Sequence, residues 1–193
     1  MKSLVILASI ISSVIAAPAT AGTAFDATFD DEPGSAAAPE LFPVGIYRGL
    51  SWPTFNVVVD TLSVVKARSG HQRAASIVTV GGVTNPSITA NYTGTKTQSF
   101  DLYSAYVGCL VGTQAGLVPD PCTLSFTGVK KGGAKTAPEE CVYKGTLANP
   151  AVVLCTFSKL SGVETVEIVV ENSATLGVDT IVLLDEVKGK TFS

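Results

Sequence analysis

Charge is scarce in this chain of 193 residues: Asp, Glu, Lys and Arg make up 15% of it, 13 basic against 16 acidic, for a net charge of −3. A quarter is usual for a globular chain, and the slight acidic excess excludes the basic surface that nucleic acid demands. Histidine, tryptophan and methionine occur once each, as His71, Trp52 and Met1. A single histidine leaves no material for a His-rich metal set, and without a CxxC pair the cysteines do not read as a zinc site. Phosphate loops and dinucleotide fingerprints are absent. A membrane-spanning helix needs ~20 apolar residues; Leu4 to Ile15 falls short, and no later run approaches that length. No segment carries a sustained helical period. Disorder throughout is excluded by an apolar content of 46%, enough to build a core at this small net charge.

What is present begins with an address. Residues 1–21 read MKSLVILASIISSVIAAPATA: a positive start at Lys2, an apolar run, then small residues. This is the pattern of a secretory signal peptide, with cleavage after Ala16 or after Ala21. A domain of residues 22–193 would follow, soluble and extracellular, with no membrane insertion.

The cysteines agree with that compartment. Cys109, Cys122, Cys141 and Cys155 all lie beyond the leader, an even number entering oxidising conditions. Four cysteines allow three pairings. The spacings do not fix one, but they favour Cys109–Cys122 and Cys141–Cys155, each across a hairpin of neighbouring strands. A glycosylation sequon at Asn91-Tyr92-Thr93 places Asn91 on an exposed turn, if it is modified.

The remainder reads as strands. Stretches rich in β-branched and aromatic residues run over 54–60, 76–80, 87–92, 99–107, 123–129, 151–157, 163–170 and 178–184. Gly, Pro, Asn and Asp separate them at about 8 to 15 residues, the spacing of a sandwich or barrel. Val166, Ile168 and Val170 alternate with Glu167 and Glu171, so one face is buried. Ile181 to Leu184 is apolar on both faces and predicts a central strand covered on both sides. Residues 28–40 read as a long loop, and 62–68 fit a helical turn or a strand. The fold class is all-β: a single-domain antiparallel β-sandwich.

Two motifs carry a resemblance. Phe29-Asp30-Asp31 is followed by Tyr47, Gly49, Leu50, Trp52 and Phe55 in the pattern Tyr-x-Gly-Leu-x-Trp-x-x-Phe, and the chain ends on a hydrophobic strand carrying Asp185. The sequence resembles secreted proteins, many of them fungal and uncharacterised, that share these features. The resemblance implies a jelly roll similar to galactose-binding-like domains and carbohydrate-binding modules. Such modules often hold a structural calcium where first and last strands meet. Asp30 and Asp31, with Asp185, supply hard oxygen ligands of the kind calcium takes, beside the reading that the aspartates make turns.

Other candidates are each weighed against a plainer role. Trp52, the only tryptophan, lies between motif residues and reads as core rather than as a sugar platform. Tyr103 and Tyr106 are three apart in a strand, so they face opposite sides and cannot line one groove together. His71, among Lys66, Arg68, Gln72 and Arg73, reads as part of an exposed basic loop rather than as a general base. Ser51 lacks the strand-to-helix elbow of a serine hydrolase. Glu139 and Glu140 diverge on a strand, as do Glu164 and Glu167, so no pair stands out as the two carboxyls of a glycosidase. Lys130, Lys131 and Lys135 read as a solubilising turn. The functional expectation is a secreted, non-catalytic protein that binds carbohydrate or a cell surface. The alternatives are an effector or structural protein with a protein partner and, less favoured, a hydrolase.

Overall fold

The computed structural model describes residues 21–33, 42–60, 64–78, 85–113, 116–173 and 179–193. The expected leader therefore lies outside the described residues, except for Ala21, and so does the stretch 34–40 of the expected long loop. Twelve strands are formed: β1 Thr23–Ala27, β2 Phe42–Tyr47, β3 Leu50–Val59, β4 Gln72–Val78, β5 Ser87–Thr89, β6 Ser99–Thr113, β7 Gly116–Pro119, β8 Cys122–Val129, β9 Glu139–Tyr143, β10 Val153–Thr156, β11 Thr165–Ser173 and β12 Thr180–Phe192. The described residues contain no α-helix, and the architecture is the expected antiparallel β-sandwich.

The hydrogen-bonded path runs β10-β6-β12-β4-β3-β5-β11-β8-β9, with β1 on β12, β2 on β3 and β7 on β6. It folds over at β3. The near end of that strand pairs with β5 through Ser51 and Thr89, while Asn56 to Val59 pair with Ala75 to Gln72 of β4. One strand thus serves both layers. Between the layers lies the main core, which includes Trp52, Phe55, Phe100, Phe126, Val166, Ile168, Val182 and Leu184.

β12 is the covered central strand that its sequence predicts. It lies between β4 and β6. Val182 and Leu184 enter the main core, while Leu183 joins Val65, Ala75 and Leu110 in a second, smaller cluster on the outer face. Two register shifts break its ladder with β6, between Asp185 and Lys188 and between Lys188 and Gly189. Glu186 takes a left-handed φ of 42° at this irregularity. An extra residue in a ladder switches which side chains face inward. Asp185 continues the outward alternation of Leu183, and beyond the extra residue Val187 returns to the core.

Four strands are not visible in the alternation: β1, β2, β7 and β9. β2 contains Pro43 and Gly45 and pairs only with β3, its register shifting between those two residues. An edge strand tolerates a missing N–H and a bulge, so composition misleads there. Residues 64–70 form neither helix nor strand. They fold as an irregular loop whose Val65 covers the outer face of the sheet.

The disulfides are Cys109–Cys122 and Cys141–Cys155, the favoured pairing, but the hairpin reason for it does not hold. β6 turns back as β7, and the chain then crosses to β8 in the other layer, so Cys109–Cys122 ties layer to layer. Cys141 lies on β9 and Cys155 on β10, the two ends of the strand path. Their bridge clasps the open edges of the curled sheet.

Candidate ligand cleft

The shared motif is a structural knot rather than a binding surface. Trp52 is fully buried, edge-on to Phe29 with centroids 5.2 Å apart and to Phe55 at 5.8 Å. Its indole N–H donates to the Tyr47 carbonyl at 3.1 Å. Tyr47 pairs with Leu50 across Arg48 and Gly49, both at positive φ, the two-residue turn that matches strand twist. The Tyr47 hydroxyl accepts from the Phe29 amide and donates to Asp31, which also pairs with Arg48 at 3.0 Å. The bond from Tyr47 is the main reason the Asp31 carboxyl sits below the ordinary aspartate value.

Asp30 and Asp185 hold the β3–β4 loop from two sides. Asp30 Oδ1 accepts the amides of His71 at 2.8 Å and Gln72 at 3.1 Å. With its NH2 turned toward the acidic turn, Gln72 donates back to the carbonyls of Phe29 and Glu32 at 2.9 and 3.0 Å. Asp185 accepts the Arg68 amide at 2.6 Å, the Ser69 amide and hydroxyl at 3.0 Å, and the Glu186 amide at 2.7 Å. Burial nonetheless pushes the Asp185 carboxyl up, against these four bonds.

Among the described residues, no three His, Cys, Asp or Glu side chains stand together as a metal set. Asp30, Asp31 and Asp185 are each engaged by N–H or O–H donors.

Arg73 departs from the exposed basic loop expected around His71. It is fully buried, paired with Asp60 at 2.7 Å, and its Nε and Nη2 have no hydrogen-bond partner among the described residues. Burial pulls its guanidinium below the ordinary arginine value, and Asp60 opposes that pull. Its cross-strand neighbour Val58 places it on the same outer face as Asp185. Asp60 also accepts the Ala67 amide at 2.7 Å, a further anchor for the loop. His71 itself is exposed as expected, and its carbonyl accepts from the Asp60 amide at 2.9 Å.

The anchored loop forms one wall of an open cleft of about 400 Å³. Tyr106 contributes from β6, Lys66 and Arg68 from the loop, and Asn149, Pro150 and Val152 from the segment before β10. Tyr106 stands opposite Asp185 on β12 and opposite Leu154 on β10. It is half-buried, with the Arg68 guanidinium 5.4 Å from its ring centroid, a cation–π contact. The second wall is fixed as well. Thr146 and Asn149 exchange backbone hydrogen bonds at 3.0 Å, and the buried Tyr143 hydroxyl donates to the Pro150 carbonyl at 3.1 Å.

The remaining sequence candidates lie elsewhere. Tyr103 sits at the register shift of β6, 47% exposed, and donates to Asp101, so Tyr106 alone reaches the cleft. Asn91 is exposed after β5, on the expected turn. Glu139 accepts the Ser158 and Lys159 amides and the Ser158 hydroxyl, while Glu140 points to solvent. Glu167 pairs with Lys135 at 2.8 Å. Lys66, Arg68 and Asn149 are what the sequence reading missed as site residues. No spacing links them to Tyr106, because the connection is made by the fold.

No family model and no curated protein matches the chain. Among solved structures it is similar to a DUF4465 family protein from Bacteroides caccae, at 11% identity over 86% of this chain and 98% of that one, with a TM-score of 0.57. It also aligns with the K2 cleaved adhesin domain of Lys-gingipain at 11% identity, 88% and 98% coverage and a TM-score of 0.42. A third alignment is with the CBM22-1 xylan-binding domain of Paenibacillus barcinonensis Xyn10C, at 13% identity, 91% and 98% coverage and a TM-score of 0.37. The first likeness is one of fold alone. The other two carry no argument about this chain.

Proposed function

We propose that the protein is a secreted, non-catalytic module that binds carbohydrate in the cleft between the β3–β4 loop and the segment before β10. The observation that carries this reading is the Tyr106 ring in an open cleft, flanked by the donors of Lys66, Arg68 and Asn149. Sugar recognition combines an aromatic surface for the apolar face of a pyranose with a few placed polar groups. Both walls are anchored before any ligand arrives, so little ordering cost falls on binding. The two disulfides suit an oxidising compartment, in keeping with the leader read from residues 1–21. A non-catalytic role is supported by the use of the carboxylates. Asp30, Asp101, Glu139 and Asp185 each accept backbone amides that hold loops.

The test is retention of the purified protein on insoluble chitin, glucan and cellulose, together with a glycan array. Retention that is lost in Tyr106→Ala, at an unchanged melting temperature, is the expected result. Failure of the wild-type protein on every glycan overturns the reading. Calcium is tested separately by adding the ion and then a chelator while following the melting temperature, since a ligand of the native state raises it.

A further inference from the structure

Resting on that carbohydrate reading, we propose that the cleft selects acidic glycans, taking the carboxylate of a hexuronic acid residue. Two cations line the cleft, the exposed Arg68 and Lys66, whose ammonium donates to the Asp60 carbonyl at 2.7 Å, and among the described residues no carboxylate does. The chain as a whole carries a net charge of −3, so this local excess runs against the composition of the protein.

The acidic groups nearby have hydrogen-bond partners of their own, although Asp185 and Glu186 also act on the Arg68 charge from outside the cleft. Asp185 is taken up by the amides of Arg68, Ser69 and Glu186. Asp60 holds the buried Arg73 and the Ala67 amide. Glu186 pairs with Lys188 at 3.1 Å. None of the three lines the cleft. Arg68 is exposed at its head and fixed at its base, because its own amide is bonded to Asp185 and its guanidinium lies against the Tyr106 ring. A planar guanidinium held in place presents two parallel N–H donors to a carboxylate, a geometry that a neutral hydroxyl does not reproduce. Tyr106 supplies the apolar surface for the sugar ring that bears the acid, and Asn149, exposed on the opposite wall, supplies amide donors and an acceptor for hydroxyls.

The experiment is titration calorimetry of the intact protein with oligogalacturonate and with a neutral xylo-oligosaccharide of equal length, at low and high salt. The acidic oligomer is expected to bind about tenfold more tightly at low salt, with the advantage shrinking as salt screens it. Arg68→Gln is expected to abolish that advantage at an unchanged melting temperature, because the acidic oligomer loses far more affinity than the neutral one, which keeps the Tyr106 ring. Lys66→Gln, with the same melting-temperature control, should reduce it in part. Equal affinity for both oligomers, untouched by either variant, overturns the charge selection and leaves the carbohydrate reading standing. Binding of neither, with none on the wider glycan panel, overturns both. Binding of a sulfated glycan but not of oligogalacturonate overturns the uronate assignment in favour of sulfate.

Discussion

Tyr106 and Asp185 stand directly opposite each other on β6 and β12, and both engage the same residue of the β3–β4 loop. Asp185 takes the Arg68 backbone amide, and Tyr106 lies against the Arg68 guanidinium. The buried acid therefore sets where the exposed cation sits. One cross-strand pair joins the stability of the sheet's outer face to the shape of the cleft.

Replacing Asp185 by Ala leaves the Arg68, Ser69 and Glu186 amides without their acceptor in a buried place. Charge-assisted bonds of this kind are worth about 1.5–3 kcal/mol each when measured singly, and their losses overlap. A destabilisation of about 3 kcal/mol is expected from urea denaturation, at the upper end for single substitutions. Glycan retention should fall with it even under conditions where the protein remains folded, because the Arg68 wall loses its anchor.

Gly70 is held to glycine by two independent constraints. Its φ is +46°, and a Cβ there would overlap the Asp30 carboxylate that caps the loop. Gly70→Ala should cost about 1–3 kcal/mol, read as a drop in melting temperature. Gly132→Ala carries the positive φ, +85°, but meets nothing within 4 Å, so it should cost less. The difference between the two variants isolates the contact with Asp30.

Stability should fall at both ends of the pH scale for identifiable reasons. Burial pushes the Tyr143 phenol up to about 12, so the folded state holds that proton more tightly than the unfolded chain. The resulting stabilisation is complete below the ordinary tyrosine value of about 10 and is lost as pH rises through the folded value. At the acid end, burial of Glu139 is outweighed by the Ser158 and Lys159 amides and the Ser158 hydroxyl, and its carboxyl is lowered. Its contribution is present above the ordinary glutamate value and disappears as pH falls through the lowered one. Melting temperature across a pH series should show a shallower alkaline slope in Tyr143→Phe and a shallower acid slope in Glu139→Gln.

The Cys141–Cys155 bridge joins strands that share no backbone ladder, at opposite ends of the path. Replacing both cysteines by Ser should cost about 3 kcal/mol by the chain-entropy estimate for a loop of this length. Because β10 pairs, among the described residues, with β6 alone, hydrogen exchange should rise first in β10 and in the 149–152 wall of the cleft. Uniform loss of protection across the sheet would contradict this local role.

The strand-rich class, the covered β12 and the buried role of Trp52 were all legible in the sequence. Each depends on local composition and alternation, which a strand expresses residue by residue. The pairing of cysteines was also legible, though for a mistaken reason: nearness in sequence agreed with the observed bridges, but the bridges cross between layers and edges. Arg73 is where local composition stops deciding burial. Beside Lys66, Arg68 and His71 it reads as one more solvated cation, yet β4 carries it beneath the loop and onto Asp60.

Sequence by itself determined the all-β class, the central strand and the buried place of Trp52, because period and propensity act over a few neighbouring residues. The tertiary structure alone decided the cleft. Tyr106, Arg68, Asn149 and Asp185 come from four separate stretches of chain, and their meeting depends on a fold at β3, a loop laid across an outer face and a bulge at Glu186. Asp185 follows Leu183 onto the outer face, and the bulge after it is what turns Val187 inward. A register shift is a relation between two strands, and no pattern within either strand alone records it.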